Sequence, residues 1–184
     1  MDQPTGMSRY FIAIIPPSPI EEEAMALKNH FKEKYNSKGS LNSAPHITLH
    51  MPFMWKEKNE EKLIGALKSF VTDQKMFPIA LSGFGSFPPR VVFINVKPSE
   101  ELNLLQSRLQ KFCKSELNLF NAQYKDLPFH PHITIAFRDL KKDKFAVAWS
   151  EFREKTFEAS FPVNRISLLK HDTRYWQPLY HFDF

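Results

Sequence analysis

The chain predicts an α+β fold, and three observations carry the prediction. Strand-like and helix-like segments interleave along 184 residues. The tetrapeptide Pro-His-Ile-Thr opens a strand in each half, at Pro45–Thr48 and again at Pro131–Thr134. The length suits one domain with a substantial core and leaves no room for a second independent unit. Interleaving with one motif strand per half favours α+β over a doubly wound sheet.

The elements follow in order. Tyr10 to Ile15 reads as a strand halted by Pro16-Pro17. Ser18-Pro19-Ile20-Glu21 then places a serine cap, a proline at the first helical position and a glutamate three residues after the cap. Ile20, Ala24, Leu27, Phe31 and Tyr35 keep one apolar stripe on that helix. The first motif strand runs from about Pro45 to Phe53, and a helix over Lys58 to Val71 turns Leu63, Leu67 and Phe70 inward. Phe77 to Phe84 and Arg90 to Val96 read as strands joined by a Gly- and Pro-rich connection. Ser99 caps a helix with the stripe Leu102, Leu105, Leu109 and Phe112, and an irregular stretch around Asn118 to Phe129 leads to the second motif strand. A helix over Lys141 to Glu154 follows. Alternation in Phe157, Ala159 and Phe161, in Arg165 to His171, and in Trp176 to Phe184 predicts three closing strands.

In a strand, alternate side chains share a face. His46 and Thr48 therefore point one way while Ile47 and Leu49 point the other, and His132 and Thr134 stand in the same relation to Ile133 and Ile135. Each motif strand buries an aliphatic face and offers an imidazole with a hydroxyl beyond it. Histidine exchanges a proton near neutrality because its ordinary pKa is about 6.5. Two of them flanking one substrate can divide the work, one accepting a proton from the attacking oxygen and the other donating to the departing one. In-line displacement at phosphorus makes that demand. Threonine hydroxyls can donate to the non-bridging oxygens, where charge sits in the transition state. A lone strand histidine is more often structural and threonine is a good strand former; the matched pair is what points to catalysis.

At these residues the chain resembles the 2H phosphoesterase superfamily, in particular its bacterial branch similar to the 2′–5′ RNA ligases and 2′,3′-cyclic phosphodiesterases. The likeness extends to Arg9-Tyr10-Phe11-Ile12-Ala13-Ile14, to Gly83 through Phe93, and to Phe129-His130-Pro131-His132-Ile133-Thr134-Ile135-Ala136, so it covers nearly the whole chain. It implies two lobes related by a pseudo-twofold axis, each an antiparallel sheet backed by helices, with the motifs facing across a central cleft. It also implies a catalytic pair, His46 and His132, with Thr48 and Thr134 binding phosphate. The implied activity is a metal-independent opening of 2′,3′-cyclic phosphates or related phosphodiesters of nucleotides or RNA ends. Alternatives are 2′–5′ ligation, which is the reverse reaction, and a non-catalytic RNA-end or nucleotide-binding module. Many relatives carry arginine directly after the alanine that ends the second motif, whereas here Phe137 stands there and Arg138 follows. Strand alternation would bring Arg138 to the side of Thr134. His50 is a further histidine on the first motif's face by the same rule.

Other residues are candidates for the cleft. A base would profit from an aromatic platform, and Phe84, Phe87, Trp55, Tyr175 and Trp176 could supply one. Arg90, after Pro88-Pro89, could grip phosphate or ribose. His130 shares the parity of His132, while His30 and His181 read as structural. A metal is not expected: His46 and His50 would stand about 13 Å apart on a strand, with no carboxylate pair nearby. Cys113 lies beside Phe112 in a helix stripe and reads as core.

Composition agrees. With 42% hydrophobic residues and 18 phenylalanines the chain is globular, and its net charge of +5 suits a phosphate-bearing substrate without a contiguous basic block. No apolar run approaches the roughly 20 residues that span a bilayer. Met1-Asp2-Gln3-Pro4 lacks a secretory pattern, and a single cysteine allows no internal disulfide. A cytoplasmic, monomeric protein without cofactor is the expectation.

Overall fold

A computed structural model describes residues 6–120 and 128–184. Most of the irregular stretch expected before the second motif, and the opening four residues, lie outside them. The described strands are β1 (Met7–Ile14), β2 (Ile47–Lys56), β3 (Phe77–Phe87), β4 (Val91–Val96), β5 (His132–Ala136), β6 (Glu158–Val163), β7 (Arg165–His171) and β8 (Trp176–Asp183). The helices are α1 (Ile20–Tyr35), α2 (Glu60–Val71), α3 (Glu100–Leu117) and α4 (Lys142–Phe152). These agree with the predicted elements to within a few residues.

The strands form one antiparallel sheet in the order β6-β3-β4-β5-β2-β1-β7-β8. It is two four-stranded halves whose central strands, β2 and β5, meet at a single pair, Ile47 opposite Ile133. Those are the two motif strands. The chain traces β1-α1-β2-α2 and then β4-α3-β5-α4, which gives the pseudo-twofold scheme. The helices are exchanged between halves. Phe31 of α1 packs on Phe152 of α4, with centroids 4.9 Å apart, and Phe152 on Phe84 of β3 at 5.0 Å, so α1 and α4 back the β5 half. Phe70 of α2 packs on Phe112 of α3 at 5.2 Å, and Gln106 of α3 reaches β2, so α2 and α3 back the other half.

The main core lies on the helix side and includes Tyr10, Ile12, Ile14, Ile47, Leu49, Ile133 and Ile135, all essentially inaccessible. Phe11, Ala13 and Leu169 form a separate cluster on the other face, with Ile15 and Trp176 packed against it. Cys113 is fully buried and its thiol is pushed up to about 12 by that burial, which makes it a core residue as expected.

Two helix starts contrast. Ser99 caps α3 as predicted, its hydroxyl accepting from the Leu102 N–H at 3.1 Å. Ser18 does not cap α1: Pro19 is the residue that precedes the first helical turn, and the Ser18 hydroxyl instead donates to Glu22 at 2.8 Å. Both α1 and α3 end at an asparagine in the left-handed region, Asn36 and Asn118, where its short polar side chain is tolerated.

Candidate active site

Ala13 is opposite Thr48 on β1, and Phe93 is opposite Thr134 on β4. Ala13 belongs to the open face, whereas its neighbours Ile12 and Ile14 belong to the core. His46 and Thr48 are thereby turned to the open face. By the same pairing His132, opposite Asn95, and Thr134 share it. Continuing the Ile47–Ile133 register sets His46 across from Thr134 and Thr48 across from His132. The two imidazoles and two hydroxyls thus surround the seam between the halves, and all four are half-buried.

Each imidazole is anchored in the same way. His46 Nδ1 bonds the Ala44 carbonyl at 2.7 Å, and His132 Nδ1 bonds the His130 carbonyl at 2.7 Å. A carbonyl only accepts, so Nδ1 carries the proton in both rings and Nε2 is left for exchange. Aromatic walls hold the rings: Phe11 lies 4.8 Å from His46, and Phe93 and Phe87 lie 4.8 and 5.2 Å from His132. Burial lowers the pKa of both histidines. For His46 the fall is to about 4, caused first by burial, then by the positive charge of Lys28, with His132 adding a smaller push. For His132 burial dominates and His130 adds to it.

Both motif strands bulge just past the threonine. Between Thr48 and His50 the partner strand β1 advances only from Ala13 to Ile12, and between Thr134 and Ala136 the partner β4 advances only from Phe93 to Val92. Leu49 and Ile135 are the inserted residues. A bulge frees backbone groups, and buried side chains satisfy them: Gln106 Nε2 donates to the Leu49 carbonyl at 3.4 Å and Ser40 Oγ to the Ile135 carbonyl at 2.8 Å.

The bulges correct two expectations. His50 does not share the motif face: the extra residue reverses parity, so His50 pairs with core residue Ile12, is 1% exposed and packs on Phe53. Arg138 likewise loses the parity that would place it beside Thr134. It lies past the end of β5 with φ +62°, and its guanidinium covers the Phe137 ring at 4.6 Å. Arg90 is exposed beside it and donates to the Arg138 carbonyl at 3.3 Å.

The aromatic candidates divide. Phe87 lines the site against His132, as described. Trp176 reaches it through Phe11, whose ring is 4.7 Å away, with the Arg9 guanidinium 5.7 Å from the indole. Phe84 is turned to the core face between Phe152 and Phe157, because it pairs with Ile94. Tyr175 lies in the β7–β8 turn with Arg174 over its ring. Trp55 donates to the Asn59 carbonyl and packs on the core. His130 stands 6.0 Å from His132, ring to ring. His30 lies 3.2 Å from Glu151, and His181 shares a hydrogen bond with Ser167 at 2.8 Å, both away from the motif pair.

Phe11, Phe93 and Lys28 are site residues that sequence reasoning missed. The last left a signal: it follows Ala24 by four and precedes Phe31 by three, inside the apolar stripe of α1.

Gly85 sits directly beneath the Phe93 ring: a Cβ there would come within 2.4 Å of that ring and 2.5 Å of Asn95 Oδ1. Gly85→Ala is expected to displace Phe93 from His132. Stability should fall by about 1–3 kcal/mol through overpacking, and a larger loss in kcat/KM than in folding would show the ring's part in the site.

Among the described residues no group of three histidine, cysteine or carboxylate side chains is placed to hold a metal ion, and no helix is long and apolar enough to cross a membrane.

Comparison with known proteins gives the family and the fold. The model of the 2′-5′ RNA ligase superfamily matches residues 16–174. A protein of Geobacillus kaustophilus named "Putative phosphoesterase GK0864" is 31% identical over 163 residues, which is 88% of this chain and 87% of that one. An Oceanobacillus iheyensis relative with a similar name is 28% identical over 165 residues, 88% of each chain. Among solved structures, TT0787 of Thermus thermophilus superposes with a TM-score of 0.68 at 20% identity, covering 95% of this chain and 97% of its own. E. coli LigT in apo form superposes with a TM-score of 0.66 at 21% identity, covering 97% and 98%. The chain belongs to the 2′-5′ RNA ligase superfamily of 2H phosphoesterases.

Proposed function

We propose that the protein is a metal-independent phosphodiesterase that opens 2′,3′-cyclic phosphates, or cleaves related phosphodiesters, of nucleotides and RNA ends. One observation supports the reading most: two imidazoles, each fixed through Nδ1 and each with a threonine two residues on, surround a single strand pair. His46, held neutral near pH 7, takes a proton from water through Nε2 as the oxygen attacks phosphorus. His132, protonated, hands its proton to the departing ribose oxygen, and the phosphorus–oxygen bond on that side breaks. Thr48 and Thr134 donate to the non-bridging oxygens. The product is a phosphomonoester, and solvent returns His132 to its protonated form and His46 to its neutral form.

The substrate class draws support from E. coli LigT, which has been solved with 3′-AMP; that structure superposes with a TM-score of 0.65 at 23% identity, over 97% of this chain and 98% of its own. Phe11, Trp176 and Phe87 beside the histidines offer surfaces on which a base could stack. With a 5′-hydroxyl in place of water as the attacking group, the same proton transfers join RNA ends through a 2′–5′ bond as the ribose 3′ oxygen departs, but excess water favours hydrolysis.

Purified protein in excess chelator is expected to convert a 2′,3′-cyclic nucleotide to a nucleoside monophosphate. Absence of turnover on cyclic nucleotides and on RNA ending in a cyclic phosphate, or turnover only with added metal, would sink the reading.

A further inference from the structure

Lys28 is 1% exposed, a costly place for an ammonium group. It projects from α1, and its Nζ donates to the carbonyls of Ser40 and Ser43 at 2.9 Å each. Those carbonyls belong to the segment that delivers His46. The same segment is sewn to the chain following the second motif. Asp139 accepts from the Ser37 hydroxyl and from the Lys38 and Gly39 N–H groups, and Ser40 Oγ bonds Ile135. Lys28 therefore lies under the strap that links the two motifs. The topologically matching helix, α3, carries the neutral amide Gln106, which bonds Leu49 of the first motif strand and sets no charge behind His132.

Resting on the reading above, we infer that Lys28 is a positioning residue for the reaction: it fixes the segment bearing His46 and sets behind that histidine a buried positive charge that has no counterpart behind His132 among the described residues. The near-twofold equivalence of the pair is thereby broken, and His46 is committed to accepting the proton. A neutral side chain could hold the carbonyls. The charge is what distinguishes the two imidazoles. The groups acting on the pair agree with this. His46 feels Lys28 from α1 and His132 from β5, while Phe11 from β1 is neutral. His132 feels His130. Lys28 feels Glu21 of its own helix, and burial lowers its own pKa to about 7. In the acid range where His46 titrates, Lys28 is charged.

The test is an NMR titration of the histidine ring protons, which needs no turnover. In the wild-type protein His46 should titrate below His132. Lys28→Met, which keeps the length and removes the charge, should raise the His46 midpoint by about one unit and leave His132 in place, and the acid limb of kcat/KM should move up with it. At pH 5 activity should fall about twofold more than at pH 8. Lys28→Arg should keep the His46 midpoint low. A folded Lys28→Met protein with unmoved His46, or with both histidines moved equally, would overturn the inference. Should both variants fail to fold, the wild-type order decides, and His46 titrating at or above His132 overturns it. Failure of the phosphodiesterase reading appears separately, as a wild-type protein that turns over no cyclic phosphate whatever its titrations show.

Discussion

Alanine at either His46 or His132 should lower turnover of a 2′,3′-cyclic nucleotide by about two to four orders of magnitude, with circular dichroism and unfolding midpoint almost unchanged. Both side chains are half-buried, and each ring's anchoring bond is to a carbonyl two residues earlier in the chain. Removing either ring therefore takes little from the core. The double variant should be scarcely worse than either single one, because an acid without its base has nothing to complete. The pH profile adds a second check. kcat/KM reports the free enzyme, so the acid limb should follow His46, which is neutral and competent at every pH above about 4. His132 must be protonated, and its pKa lies below the ordinary histidine value. Activity should therefore decline as pH rises from a maximum beneath about 6.5. A bell centred well above neutrality would contradict the assignment of His132 as the acid.

Phe152→Ala should cost about 3–5 kcal/mol, much of the total stability of a domain at about 5–15 kcal/mol. The ring is wholly buried and is the shared contact of α1, α4 and β3, lying 4.9 Å from Phe31 and 5.0 Å from Phe84. No single neighbour can collapse into the space without leaving another. Denaturant unfolding should show a lower midpoint with an unchanged slope. A loss under about 1 kcal/mol, a surface-like value, would mean that α1 and α4 do not depend on this contact. Since α1 carries Lys28, the variant should also lower activity at temperatures where it is still mostly folded.

What could be read in the chain was what local pattern encodes. Strand and helix periodicity placed the elements to within a few residues, and the alternation of His46 with Thr48 and of His132 with Thr134 put each pair on one face. Legibility ended where one inserted residue changed parity. Leu49 and Ile135 look like ordinary strand residues, and only pairing with β1 and β4 shows them to be bulged. His50 and Arg138, both placed by counting through those positions, were consequently misdirected. Phe84 failed for a related reason: a register irregularity between Leu81 and Phe84 separates it from the strand start, and nothing local says that Phe87 faces the histidines while Phe84 faces Phe152. Strand order and the exchange of helices between halves are long-range facts with no local trace. Lys28 was legible in position but not in meaning, because its partners are backbone carbonyls that no sequence pattern names.

The seam at Ile47 and Ile133 sets how tolerant such a cleft can be of its cargo. A sheet joined there by one residue pair has its fewest ladder bonds along that line, so a tilt of one half against the other would turn about it like the boards of a book about its spine. Atoms beside the spine scarcely travel when the boards tilt, and those at the outer margins sweep through the largest arcs. With the two histidine–threonine pairs at the spine and Trp176 and Arg90 farther out, such a tilt would widen the margins of the cleft while the four side chains kept their spacing.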